Sequence, residues 1–273
     1  MGALDEYAYG PPWKWYRPGR FLARGRKAGQ VGAALALGRL RGAPFPVTYL
    51  DVGARWGPSR AWQAAARAGL AELVLVEPDD AEAAALAGRF PSARVVRAAL
   101  GPTNGSGKLH LTAEPAVSSM LEPDPDAAAA LGVGENYVVD RTVEVELVRF
   151  DEVCRREELA RVHFAKLDVQ GYEHQVVQGF GNRVDDLLGI ELEVAFQRTY
   201  RDQHLVGEVN DQLTAAGFAL VDIRPLGASR AGVIEANAFY ARRDVGSGAD
   251  RDALMFWRLL LGVRTNAALR HGL

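Results

Sequence analysis

Short apolar runs alternate with helical stretches of about a dozen residues through most of this chain. "PVTYLDVG" (46–53) precedes "PSRAWQAAARAG" (58–69). "ELVLVEP" (72–78) precedes "DDAEAAALAGRF" (79–90), and "ARVVRAALG" (93–101) supplies a third strand. Later, "VHFAKLDVQG" (162–171) leads into "YEHQVVQGF" (172–180), and "LLGIELEVAF" (187–196) into "VGEVNDQLTAAGF" (206–218). A strand that must return beside its predecessor in the same direction needs a crossover of such length. The pattern therefore predicts an α/β fold with a mostly parallel sheet and helices on both faces. Such folds take ligands beyond the carboxyl ends of their strands, where strand order reverses.

The flanks are read against that core. "FALVDIRP" (218–225) and "IEANAFYARR" (234–243) are expected to close the sheet as a hairpin-like pair. The stretch 102–141 gives weaker signals, with "KLHLTA" and a Pro-rich "EPAVSSMLEPDPD" before the alternating "TVEVELV". Three segments follow: a basic helical extension over 1–45, the ligand-binding domain over 46–243, and a linker with one amphipathic helix over 244–273. The 273 residues suit one large domain with extensions.

Composition removes several classes. A net charge of -2 offers no global attraction to nucleic acid. Cys154 is the single cysteine, which rules out an intrachain disulfide and a cysteine-cluster metal site. The apolar runs fall short of the roughly 20 residues needed to span a membrane. Asp5 and Glu6 interrupt the N-terminus where a signal peptide would be apolar, so a cytoplasmic protein is expected. Residues 14–42 carry Lys14, Arg17, Arg20, Arg24, Arg26, Lys27, Arg39 and Arg41 without an acid. That run reads as a solvated amphipathic helix, with an anionic partner as the alternative. Self-association into a homo-oligomer stays open.

"TYLDVGARWG" (48–57) marks where the first strand meets its helix. Glycine there lets the chain turn sharply and approach a ligand closely. The loop lacks the G-x-G-x-x-G spacing of dinucleotide folds, and an acid precedes it. Asp51 would repel a pyrophosphate but suits an ammonium. Glu77, at the end of the second strand, stands where an acid binds ribose hydroxyls. Together these acids describe S-adenosylmethionine better than a nicotinamide cofactor.

"YLDVGARWG", "LVEPDD", "RAALG", "SSMLEPDP", "FAKLDVQGYEHQVVQGF" and "GIELEVAFQRTYRDQHL" occur in the order found in FkbM-type methyltransferases, a family this chain resembles over roughly residues 47–242. The resemblance implies a class I methyltransferase (Rossmann-like) three-layer sandwich with a seven-stranded sheet. It also implies S-adenosyl-L-methionine as donor, S-adenosyl-L-homocysteine as product, and O-methylation of a sugar, glycan or other natural product. Carried over by position, Asp51, Gly53, Ala54 and Gly57 form the donor loop. Glu77 and Pro78 meet the ribose, Ala98 and Ala99 line the adenine site, and Ser118 and Ser119 border the active site. Tyr172 replaces a smaller residue, and Asn237 stands where an acid is common.

Phe164, Lys166 and Asp168 share one face of their strand, as do Glu191 and Glu193 on the next. A lysine inside a central strand needs a partner. Glu191 or Glu193 is expected to pair with Lys166 and leave Asp168 open to the acceptor. Asp168 and Glu193 are accordingly candidate catalytic groups, with Asp168 also near the donor. Five histidines show no H-x-x-x-H pair. His174, and after it His204, are the alternatives for a proton acceptor, because they follow the fourth and fifth strands. Metal-independent chemistry is favoured, although the acids are compatible with a divalent cation. The competing readings are a nicotinamide-dependent oxidoreductase on the same layers and a donor-binding protein without activity.

Overall fold

The β-branched and aliphatic run from Val47 forms a strand, β1 (Val47–Val52), buried at every residue. Such continuous burial belongs to the centre of a parallel sheet covered on both sides. The structure, a computed structural model, describes residues 20–41, 45–229 and 232–263. Lys14, Arg17 and His271 lie outside them.

In chain order the elements are α1 (Arg20–Arg41), β1, α2 (Arg60–Arg67), β2 (Ala71–Val76), α3 (Asp80–Arg89), β3 (Arg94–Val96), β4 (Ala99–Leu100) and β5 (Gly105–Thr112). There follow α4 (Pro125–Ala130), β6 (Val139–Val148), α5 (Phe150–Arg156), β7 (Phe164–Leu167) and α6 (Glu173–Phe180). The chain continues through β8 (Gly189–Ala195), α7 (Val206–Ala215), β9 (Phe218–Ser229), β10 (Gly232–Arg242) and α8 (Gly248–Leu261). Seven strands form the main sheet in the order β3-β2-β1-β7-β8-β10-β9. β1, β2, β3, β7 and β8 run parallel, and the expected final pair inserts antiparallel, with β10 between β8 and β9.

One stretch departs from expectation. "ARVVRAALG" is not a single strand. β3 ends at Val96, and β4 leaves to join β6 and β5 in a separate three-stranded sheet. The weakly patterned 102–141 region thus contributes β5 and α4, and β6 begins at its end.

The two faces of the main sheet are packed differently. On one, Leu50, Val52, Val76, Leu167, Ile190 and Leu192 meet α5, α6 and α7 through Phe150, Val176 and Leu213. On the other, Tyr49, Phe164 and Phe239 pack against Trp62 of α2 and Trp257 of α8. The Tyr49 and Trp62 rings stack at 4.0 Å, and Phe164 stacks on Trp257 at 5.7 Å. Ala34 of α1 joins this second core, so the helices outside 46–243 help cover the sheet. The aromatic layer fills only the amino-terminal part of that face. Beyond it, at the carboxyl ends, the same alternation presents Asp51, Lys166, Glu191 and Glu193.

Candidate functional site

A cleft of about 490 Å³ opens over those carboxyl ends, within the range of small-molecule sites. One wall, where the sequence places the donor, comes from the β1–α2 turn and the end of β2. Gly53 has φ +77°, and a Cβ there would lie 2.0 Å from the Asp168 carbonyl oxygen. Only glycine lets these two strand ends come so close. Gly57 (φ +84°) is similarly confined, its missing Cβ facing the Phe90 ring at 2.4 Å.

Glu77 lines the cleft while 4% exposed, and its Oε1 accepts the Asp79 N–H at 2.9 Å. Burial pushes its carboxyl up to about 7 despite that hydrogen bond and the nearby Arg55. Pro78, Ala98 and Ala99 also form part of the wall. Two expected donor residues do not. Val52 and Gly53 make the wall at the end of β1, whereas Asp51 lies beneath it, 1% exposed. Ala54 is likewise buried, in the core with Trp62, and its N–H is used by the Val76 carbonyl. Arg55, Trp56 and Arg60 line the cleft in their stead. Sequence reasoning missed them because only the turn reveals which of its side chains project forward.

The far side is built from charge. Lys166 does line the cleft, but it pairs with neither Glu191 nor Glu193. Its ammonium lies 3.5 Å from Asp51 Oδ1 and 3.2 Å from Asp168 Oδ2. β7 lies between β1 and β8, so Lys166 is in register with the fully buried Asp51 on one side and with Glu191 on the other, and its ammonium turns to the Asp51 side and to Asp168. Burial raises the Asp51 carboxyl, and Lys166 opposes that rise. Burial also disfavours the Lys166 charge, yet Asp168, Asp51 and Glu191 outweigh it and hold the ammonium above the usual lysine range.

Asp168 is therefore not left open. Its second oxygen, Oδ1, accepts from Gln170 Nε2 at 2.8 Å. The same amide donates to Glu193 Oε1 at 2.9 Å, so Gln170 bridges two of the candidate acids. Gln170 holds φ +55°, an uncommon backbone state for a residue with a Cβ. Its carbonyl accepts from the buried Ser119 hydroxyl at 2.8 Å. Glu173 steadies the turn from below, accepting from the N–H groups of Val169 (3.0 Å) and Gly171 (3.3 Å). Burial pushes the Glu173 carboxyl up to about 8. The DVQGYE run carried this information only in outline, since Ser119 is remote in sequence.

Ser118, Ser119, Tyr172 and Asn237 all reach the cleft. His174 is not among the residues lining the cleft: on α6, it stacks on His204 with ring centroids 3.8 Å apart, at 6° between planes. Among the described residues, no group of three or more His, Cys, Asp or Glu could hold a metal ion. No described helix is long and apolar enough to cross a membrane.

Residues 51–220, more than half of the chain, match the Methyltransferase FkbM domain. The chain belongs to the FkbM methyltransferase family. The fold is accordingly the class I methyltransferase sandwich, and the FkbM protein uses S-adenosylmethionine as its methyl donor. Similar solved structures include the Burkholderia thailandensis 1,6-didemethyltoxoflavin-N1-methyltransferase, bound to that substrate and S-adenosylhomocysteine. It is 17% identical, with 83% of each chain covered and a TM-score of 0.38. Another is the magnesium protoporphyrin IX methyltransferase of Synechocystis PCC 6803 with bound S-adenosylmethionine, 12% identical, covering 85% of this chain and 88% of that one, TM-score 0.41. No curated protein sequence matches the chain. The family assignment rests on the domain match, which also sets aside the nicotinamide reading.

Proposed function

We propose that this FkbM methyltransferase transfers the methyl group to a hydroxyl oxygen of a sugar, glycan or other hydroxylated natural product. The supporting observation is the polarity of the one cleft: a buried carboxylate for a ribose at the β2 end, Glu77, faces the same space as Asp168, Glu191 and Glu193. Carboxylates and amides such as Asn237 hydrogen-bond vicinal hydroxyls, and Tyr172 and Leu226 offer apolar surface to a ring.

The donor half fits S-adenosylmethionine. The Gly53 turn leaves room where a side chain would intrude, and the ionised Glu77 accepts ribose hydroxyls. Ala98, Ala99 and Leu100 offer a small-residue apolar wall to an adenine. Pro58, Ser59 and Arg60 at the start of α2 face the cleft and suit a carboxylate. When bound, the donor supplies an activated methyl, so the protein must align the acceptor and take up its proton.

Calorimetry with S-adenosylhomocysteine and NADH tests the donor half. Binding of the first and not the second is expected, and Glu77→Ala should lose about 1–3 kcal/mol through the unmade ribose bonds. Labelled S-adenosylmethionine offered with a panel of methyl glycosides tests the acceptor. Donor binding without transfer to any glycoside would count against the sugar reading. Unchanged donor affinity in Glu77→Ala would remove the ribose assignment.

A further inference from the structure

We propose that Glu191, rather than Asp168, is the group that removes the acceptor's hydroxyl proton. The inference rests on the hydroxyl-acceptor reading above. Both Asp168 oxygens are already engaged, Oδ2 by the Lys166 ammonium and Oδ1 by the Gln170 amide. Glu193 accepts from the same amide and is 7% exposed. Glu191 lies one pair down β8, in register with Lys166 on one side and Phe239 on the other, and its side chain lines the cleft. No hydrogen bond from a described residue holds its carboxyl. It is thus the cleft acid whose oxygens are free to meet a ligand.

The groups facing Glu191 set its proton affinity. Burial raises it, and Lys166 from β7 and Arg224 from β9 lower it. Asp51 from β1 and Asp168 just past β7 raise it again, leaving a carboxyl at about 7. Tyr49 of β1 is the further titratable neighbour, itself raised well above the usual phenol range by burial. A base is most effective when its proton affinity matches the working pH. Asp168, with an ammonium at 3.2 Å, is a poorer one. In the reaction the acceptor oxygen bonds to the methyl carbon as the carbon–sulfur bond breaks, its electron pair staying on sulfur. The hydroxyl proton passes to Glu191, which becomes neutral and later releases it to solvent. Lys166 and Gln170 act as positioning residues, holding the Asp168 carboxyl in place beside the acceptor site.

The test combines a titration with a rate. Protein labelled with ¹³C at the glutamate carboxyls, saturated with S-adenosylhomocysteine, is followed by NMR from pH 5 to 9. A resonance with its midpoint near 7 that disappears in Glu191→Gln is expected. A Glu191 midpoint below about pH 5 would overturn the proposal. The glycoside panel supplies the rate. Glu191→Gln should lower turnover by about 10²–10⁴-fold with donor affinity intact, and remove the rise in kcat/KM through pH 7. Wild-type turnover in Glu191→Gln would also overturn it. If no glycoside is methylated, the sugar reading fails, while the titration still decides whether Glu191 carries a neutral-range carboxyl.

Discussion

At the proposed donor end the cleft takes its shape from backbone: Gly53 and Gly57 in positive φ, a carbonyl too close to admit a Cβ, and one buried acid at a strand end. At the proposed acceptor end it takes its shape from side chains: the Lys166 ammonium, the carboxyls of Asp51, Asp168, Glu191 and Glu193, and the bridging Gln170 amide, carried by adjacent strands and the turn after β7. The first construction tolerates no added atoms. The second tolerates changes of shape but not of charge, since each group is half or wholly out of water and depends on its neighbours. Substitutions at the two ends should therefore fail in different ways.

The largest effect is expected from Lys166→Met. It keeps the aliphatic bulk of the side chain and removes the charge that faces fully buried Asp51. Breaking a buried pair by deleting one partner costs about 3–5 kcal/mol. For a chain of this size a thermal melt should fall by roughly 10 °C. The loss should shrink at low pH, where Asp51 can take up a proton, and the double change Lys166→Met with Asp51→Asn should recover much of it. A melt unchanged by Lys166→Met would mean that the acceptor end is not held together by charge.

Gly53→Ala should come next. A Cβ at φ +77° costs about 1–3 kcal/mol by itself. The overlap with the Asp168 carbonyl then forces the ends of β1 and β7 apart. Donor affinity should fall together with stability, measured by calorimetry and by melting. Gly207→Ala on α7 is the control: its Cβ meets nothing within 4 Å, and alanine favours a helix by up to about 1 kcal/mol. If both alanines behave alike, close approach is not what Gly53 provides.

The same division explains what could be read from sequence. The donor end was legible because its signals are local: an apolar run, an acid, glycines and a second acid, each recognisable within a few residues. Glu77 and Gly53 both line the cleft. Even there, burial of Asp51 and Ala54 escaped, because it depends on parts of the chain remote in sequence: Asp51, inside β1, faces Lys166 of the neighbouring strand, and Ala54 packs in the core with Trp62. The proposed acceptor end was legible in its alternation, which put Lys166 and Asp168 on one face of their strand and Glu191 and Glu193 on one face of theirs; that Lys166 lies in register with Glu191 came only from the sheet. Which acid the lysine chooses was not legible, since it depends on β1 lying on its other side. The Gln170 bridge and the Ser119 contact depend on loops meeting from distant parts of the chain. The splitting of "ARVVRAALG" between two sheets has the same origin, because β6, the partner of β4, is some fifty residues away.

The smallest expected effect separates the two ends by pH. At the proposed donor end Glu77 is raised to about 7 by burial. Ribose hydroxyls donate to the ionised carboxylate, so donor binding favours loss of its proton. The sign follows: affinity for S-adenosylhomocysteine should hold above pH 7 and weaken as pH falls below it, by at most tenfold per unit. Binding at pH 6.5 should release a fraction of a proton, read from calorimetry in buffers of different ionisation enthalpy. In the unliganded protein the same raised value works the other way, and Glu77's contribution to stability declines as pH rises from its ordinary range toward 7. Glu77→Gln cannot titrate, so it should bind more weakly than the wild type above pH 7 and show a flatter profile below it. Glu191→Gln should leave that donor profile unchanged, because its carboxyl belongs to the other end. A donor profile flattened equally by both variants would show that the two ends titrate as one site, and the division between backbone and charge would have to be abandoned.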